Sequence, residues 1–137
     1  MSFVLDASVA LSWCFEDEGG DYVMGVLDEL RRRDAIVPEI WTLEVANGLL
    51  VAERRRRIDA AAAESFVHML LALPIALDPG GRSTAFRELR PLAKRRNLSV
   101  YDAAYLELAL RNRLPLATTD RALRKAAADE GVDAFEG

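Results

Sequence analysis

The chain has 137 residues, of which 51% are hydrophobic and 29% charged, with a formal net charge of −4. That length fits one domain, expected over 1–137, with enough apolar residues for a core. No apolar run is long enough to span a bilayer, no basic flank precedes an apolar stretch at the start, and the acidic balance excludes a general polyanion binder; the chain reads as cytoplasmic, with any nucleic-acid contact confined to local basic patches.

Phe3–Leu5 is short and apolar and reads as a strand. Ala7–Phe15 has helical spacing, and Glu16–Gly20 is a polar loop. Asp21 can open a helix to about Arg33, with Val23, Val26, Leu27 and Leu30 on one face. Ala35–Val37 is a second strand, stopped by Pro38. A long helix is expected from about Thr42 to Arg57, carrying Val45, Leu49 and Ala52. Asp59 is a candidate N-cap for the alanine-rich helix Ala60–Leu73, which Pro74 ends. Ile75–Leu77 is a weak strand before the turn Pro79-Gly80-Gly81. A helix from about Ser83 to Arg96 contains Pro91, which predicts a break or kink. Ser99-Val100-Tyr101-Asp102 has capping-box spacing and opens a helix to about Arg113. Pro115-Leu116-Ala117 reads as a strand, Thr118-Thr119-Asp120 as a turn, Arg121–Asp129 as a helix, and Val132–Phe135 as a possible last strand. Short strands alternating with helices predict a mostly parallel sheet covered on both faces.

The single cysteine, Cys14, excludes an intramolecular disulfide and a cysteine-rich zinc site, and reads as a small buried hydrophobe. The single histidine, His68, cannot build a two-histidine zinc motif and reads as an ordinary helix residue. Chemistry at neutral pH usually leans on histidine. Here it falls to carboxylates, a metal, or both.

Four acids stand at element ends. Asp6 and Asp120 follow predicted strands, where open α/β sheets bind ligands. Glu44 and Asp102 lie on the first turns of helices, where the backbone dipole favours negative charge. Each has a plainer role available: Asp6 and Asp120 as caps, Asp102 as the acid of a capping box, Glu44 as a solvated first-turn residue. Their neighbours add oxygen donors: Ser8 beside Asp6, Asn47 one turn after Glu44, Thr118 and Thr119 beside Asp120. Like charges brought together raise one another's pKa, and burial raises it further. A divalent cation reverses this, and oxygen-only ligands suit Mg²⁺ or Mn²⁺ rather than Zn²⁺. Such an ion can activate water and neutralise charge on a phosphodiester undergoing displacement. Three basic clusters, Arg31–Arg33, Arg54–Arg57 and Lys94–Arg96, fall near helix ends. They either complement helix dipoles or bind phosphates or an acidic partner; Arg54, Arg55, Arg56 and Arg57 are the candidates for backbone contact should the substrate be RNA.

Val4-Leu5-Asp6-Ala7-Ser8, Pro38 followed by Glu44-Val45-Ala46-Asn47, Ser99–Tyr105 and Leu116–Asp120, in this order, resemble a PIN-domain protein, in particular a VapC-type toxin of a bacterial toxin–antitoxin pair. The resemblance implies an α/β/α sandwich with a short parallel sheet and a Mg²⁺- or Mn²⁺-dependent endoribonuclease. It implies that Asp6 and Asp102 bind metal, with Asp120 helping directly or through water, and that Glu44 completes the acidic set and orients or deprotonates the attacking water. Ser8, Asn47 and Thr118 match supporting positions. It also implies a small cognate antitoxin as partner, and a homodimer. The helices near Trp41–Ala52 and Ala60–Leu73 could supply a partner face or simply be core.

Three other readings compete. A haloacid-dehalogenase-type phosphatase wants a second Asp two residues after the first, where this chain has Ser8. A receiver domain wants a phosphoacceptor, which Asp78 could mimic, and a lysine after a late strand, which is missing. A non-catalytic PIN-like module that binds RNA or protein would keep the fold without the chemistry.

Overall fold

Pairing of the apolar run at the chain start organises the molecule. The computed structural model describes residues 2–137. Strand β1 (Phe3–Leu5) is fully buried and pairs in parallel with β2 (Ala35–Pro38) on one side and β4 (Leu116–Ala117) on the other. β3 (Ile75–Asp78) pairs in parallel with β2 and forms one edge. The four-stranded sheet has the order β3-β2-β1-β4. Its all-parallel arrangement needs helical crossovers, and helices cover it.

The helices are α1 (Ala7–Ser12), α2 (Asp21–Glu29), α3 (Ile40–Arg54), α4 (Ala60–Leu71), the short α5 (Arg82–Thr84), α6 (Arg90–Arg96), α7 (Val100–Asn112) and α8 (Arg121–Asp129). α2 is shorter than its hydrophobic pattern suggests, because the chain turns at Leu30–Arg33 and the arginine side chains fold back onto Asp28 and Glu29. Asp59 caps α4 as expected, accepting from the Ala62 N–H at 2.8 Å. Pro91 also acts as expected. It lacks an N–H and its ring crowds the preceding turn; the helical run accommodates it with a π turn over Ala85–Leu89, between α5 and α6.

Val132–Phe135 forms no full strand. Ala134 makes one parallel bridge to Leu116, and the segment is held instead by Phe135, whose ring stacks on Phe3 with centroids 4.0 Å apart. α3 buries Trp41, Val45, Leu49 and Ala52 while Leu43 and Leu50 stay exposed, so its inner stripe is core and its outer stripe is free. α1 crosses α3 at Gly48, where even a Cβ would stand 2.6 Å from Leu11 Cδ1. That close approach packs the middle of α3 directly against α1, the helix that follows Asp6.

Candidate active site

The strand order reverses at β1. The chain adds β2 and β3 on one side, then returns through α5–α7 to place β4 on the other. Such a reversal opens a crevice at the carboxyl ends of the two strands. Leu5 pairs with Ala117, and the Asp6 N–H donates to the Ala117 carbonyl at 2.9 Å. Asp6 and Thr118 therefore leave the sheet side by side. α3 begins right after β2, and α7 runs back toward the start of β4. Their first turns, carrying Glu44 and Asp102, lie at the same edge.

Asp6 is 5% exposed and Thr118 1%. Asp6 precedes α1 in extended conformation, yet its side chain caps nothing. Instead its Oδ2 accepts from the hydroxyls of Ser8 and Thr118, both at 2.7 Å. Those hydroxyls in turn accept from backbone: Thr119 N–H on Ser8 Oγ at 3.2 Å and Asp120 N–H on Thr118 Oγ1 at 3.0 Å. The β4–α8 turn thus grips one oxygen of Asp6 through two relays. Oδ1 accepts from no side chain among the described residues.

Asp120 does cap α8, its Oδ1 accepting from Leu123 N–H at 3.1 Å. Asp102 sits half-buried in the first turn of α7, and its N–H donates to Ser99 Oγ at 3.0 Å. Glu44 is also half-buried, and its Oε1 accepts from the Tyr105 phenol at 2.6 Å.

The acids act on one another. Burial pushes the Asp6 carboxyl up, and the Asp120 charge adds to that against the Ser8 and Thr118 hydrogen bonds. Burial also raises Glu44, with the charges of Asp6 and Asp102 adding while Tyr105's bond opposes. Asp102 is raised by burial, then by Asp120 and Asp6. No lysine or arginine forms an ion pair with any of the four among the described residues. Elsewhere acids do find cations. Arg111 grips Asp78 through two bonds, at 2.8 and 3.2 Å, and holds its carboxyl below the ordinary range; Arg95 and Arg96 do the same for Glu130. Asp78 is therefore an anchor for the end of α7, not a free phosphoacceptor.

The donor set suits a hard divalent ion, being all oxygen, crowded and in no ion pair among the described residues; the nearby Arg124 guanidinium donates instead to the Thr118 carbonyl at 2.7 Å. Among the described residues no three His, Cys, Asp or Glu side chains close tightly enough to encage a metal. Mg²⁺ needs no such cage, since it takes one or two carboxylates and keeps several waters.

The PIN domain family matches residues 3–129, a span holding all four acids. The chain belongs to the PIN domain family. Among solved structures, this PIN chain resembles PAE2754 from Pyrobaculum aerophilum (TM-score 0.72, 22% identity, 92% of this chain and 84% of that one). It also resembles VapBC2 from Rickettsia felis bound to a DNA fragment from its promoter (TM-score 0.68, 12% identity, 98% of each). A third is FitAcB from Neisseria gonorrhoeae (TM-score 0.66, 18% identity, 98% and 96%). At these identities the likeness is one of fold. No curated protein matches the chain.

Ser8 and Thr118 thus touch the acidic set directly. Asn47 is exposed on α3 and bonds to nothing among the described residues. Within the arginine run, Arg57 is taken up by Asp17 and Glu18, at 2.8 and 2.9 Å, and stacks 4.1 Å above the Phe15 ring. Arg54, Arg55 and Arg56 are exposed and make no ion pair among the described residues. Tyr105, the end of one motif in the sequence, is a site residue to which sequence reasoning gave no role. Its position three residues after Asp102, on the same helix face, was the available signal.

The acid cluster has a consequence for stability. In metal-free protein each acid with a raised folded pKa holds its proton more tightly than the unfolded chain does. Stability therefore falls as pH rises from the ordinary values of 3.8 for Asp6 and 4.5 for Glu44 through the raised ones. Asp78 and Glu130 have the opposite sign, but their loss lies at lower pH. Urea unfolding in EDTA, followed from about pH 4 upward, should show wild type losing more stability with rising pH than Asp6→Asn does. Identical pH profiles for the two contradict the crowding.

Proposed function

We propose that this PIN protein is a Mg²⁺- or Mn²⁺-dependent endoribonuclease acting as the toxin of a toxin–antitoxin pair. The observation that carries the reading is that Asp6, Glu44 and Asp102 at the β1/β4 switch point are each raised by burial and by acidic neighbours, Asp120 among them, and that none of the four forms an ion pair with a lysine or arginine among the described residues. Asp6 and Asp102 would hold the metal, with Asp120 adding an oxygen directly or through water. When bound, the ion supplies Lewis-acid neutralisation of phosphodiester charge and lowers the pKa of a coordinated water. Ser8 and Thr118 keep Asp6 in one rotamer, so that its remaining oxygen has a fixed position. Glu44 orients the attacking water and can accept its proton.

Several features support the rest of the reading. The motif resemblance to VapC-type toxins and the likeness of fold to VapBC2 and FitAcB support a small antitoxin as partner. The exposed Leu43 and Leu50 on α3 and Leu71 at the end of α4 offer apolar surface for that partner or for a homodimer. We take residues 1–137 as one PIN-like domain that works in the cytoplasm; no helix among the described residues is long and apolar enough to cross a membrane. Arg54, Arg55 and Arg56 are the arginines of their run left available for an RNA backbone, while Arg57 is committed to its acidic neighbours.

Incubation of the purified chain with total RNA and Mg²⁺ or Mn²⁺ should produce discrete fragments. Asp6→Asn and Asp102→Asn should each lower the rate on the order of a hundredfold or more, and EDTA should abolish it. Cleavage that survives these controls refutes the metal-carboxylate mechanism. RNA bound without cleavage by the wild type favours the non-catalytic module.

The arginine assignment has its own measurement. Replacing Arg54, Arg55 and Arg56 together by Gln should weaken RNA binding and reduce its salt slope by roughly 0.7 for each phosphate no longer neutralised. An unchanged slope returns these residues to helix-end duty.

A further inference from the structure

Tyr105 has no role in the reading above. It is 0% exposed and among the largest fully buried side chains of the molecule. Phenylalanine would fill the same space without placing a hydroxyl in the interior. A buried phenol is costly unless it is paired. Its partner here is not another core group but Glu44 Oε1, 61 positions away in the chain and 2.6 Å distant.

Glu44 needs such a partner. It lies on the first turns of α3 with one face toward solvent, and the charges of Asp6 and Asp102 both act on it. Like-charge repulsion favours rotamers that swing its flexible side chain outward, away from the crevice. A short bond from a neutral donor to a carboxylate is stronger than an ordinary one and directional. It opposes that swing without bringing in a cation that would compete with a metal. The donor is itself held in place, because its ring is fully buried in the core.

We propose that Tyr105 is the positioning residue for Glu44: its phenol dedicates Oε1, holds the carboxylate inside the acidic crevice, and leaves Oε2 as the oxygen that meets the attacking water. This rests on the role given to Glu44 in the nuclease reading. The relay on Asp6 and the tether on Glu44 are then parallel devices. Each fixes one oxygen of a carboxylate through neutral hydroxyls and frees the other for chemistry.

The test combines kinetics with a spectroscopic signature. Tyr105→Phe, Glu44→Gln and the double variant are compared in Mn²⁺-dependent RNA cleavage. Tyr105→Phe should lower kcat roughly tenfold with KM within twofold of wild type. In the Glu44→Gln background the same change should have no further effect, because the positioned group is gone. Equal losses in both backgrounds, or a loss confined to KM, overturn the proposal. In metal-free wild type the Tyr105 hydroxyl proton should give a slowly exchanging downfield NMR resonance that Glu44→Gln displaces. A resonance untouched by Glu44→Gln, or its absence in folded wild type, also overturns the proposal, and this arm holds even where Tyr105→Phe does not fold. A wild type that cuts no RNA sinks the nuclease reading instead; the resonance then decides by itself whether Tyr105 holds Glu44.

Discussion

Carboxylates normally escape repulsion by turning to water or finding an arginine; among the described residues the acids at this switch point form no ion pair, and Asp6 is almost wholly shut off from water. Asp6 is pinned at the end of a fully buried strand by the backbone bond to Ala117 and by two hydroxyls. Glu44 is tethered from the core, and Asp120 is committed to the start of α8. The arginines find acids elsewhere: Arg111 on Asp78, Arg95 and Arg96 on Glu130, Arg57 on Asp17 and Glu18. The molecule thus separates its charges into satisfied pairs outside the crevice and an unsatisfied group within it. Placing such a group at the carboxyl ends of parallel strands costs stability in the metal-free protein. A divalent cation that bound only the folded state would return it.

The supporting structure follows from that constraint. Two hydroxyls relay backbone N–H groups onto Asp6, so the polarity needed to hold a buried carboxylate comes from neutral donors. Neutral donors lower the cost of burying a charge without cancelling it.

Much of this was legible in the sequence. Asp6 and Asp120 were readable because each ends an apolar run, and strand ends in a parallel sheet share an edge. Pro91 announced a break, although only the structure gives it the form of a π turn. Asp102 could be placed because Ser99 marks the helix start. Other features depend on packing that no local pattern reports. Tyr105 looks like any core residue of an amphipathic helix until α3 is laid against it. Val132–Phe135 has strand-like composition but pairs with the sheet through one bridge, at Leu116, and is held further by the Phe3–Phe135 stack and the Tyr22 hydroxyl on the Phe135 carbonyl. The four arginines of residues 54–57 look equivalent in sequence, and only the turn after α3 assigns Arg57 to the acids of 17 and 18. Asn47 matched a family position by spacing, and it lies exposed without a bond.

The central claim is that crowded acids hold protons which a divalent ion displaces. Calorimetric titration of the purified protein with Mn²⁺ at about pH 5.5, in two buffers of different ionisation enthalpy, measures those protons directly. The account predicts saturable binding with net proton release, both lost in Asp6→Asn. Binding without proton release, or binding unchanged by Asp6→Asn, would contradict it.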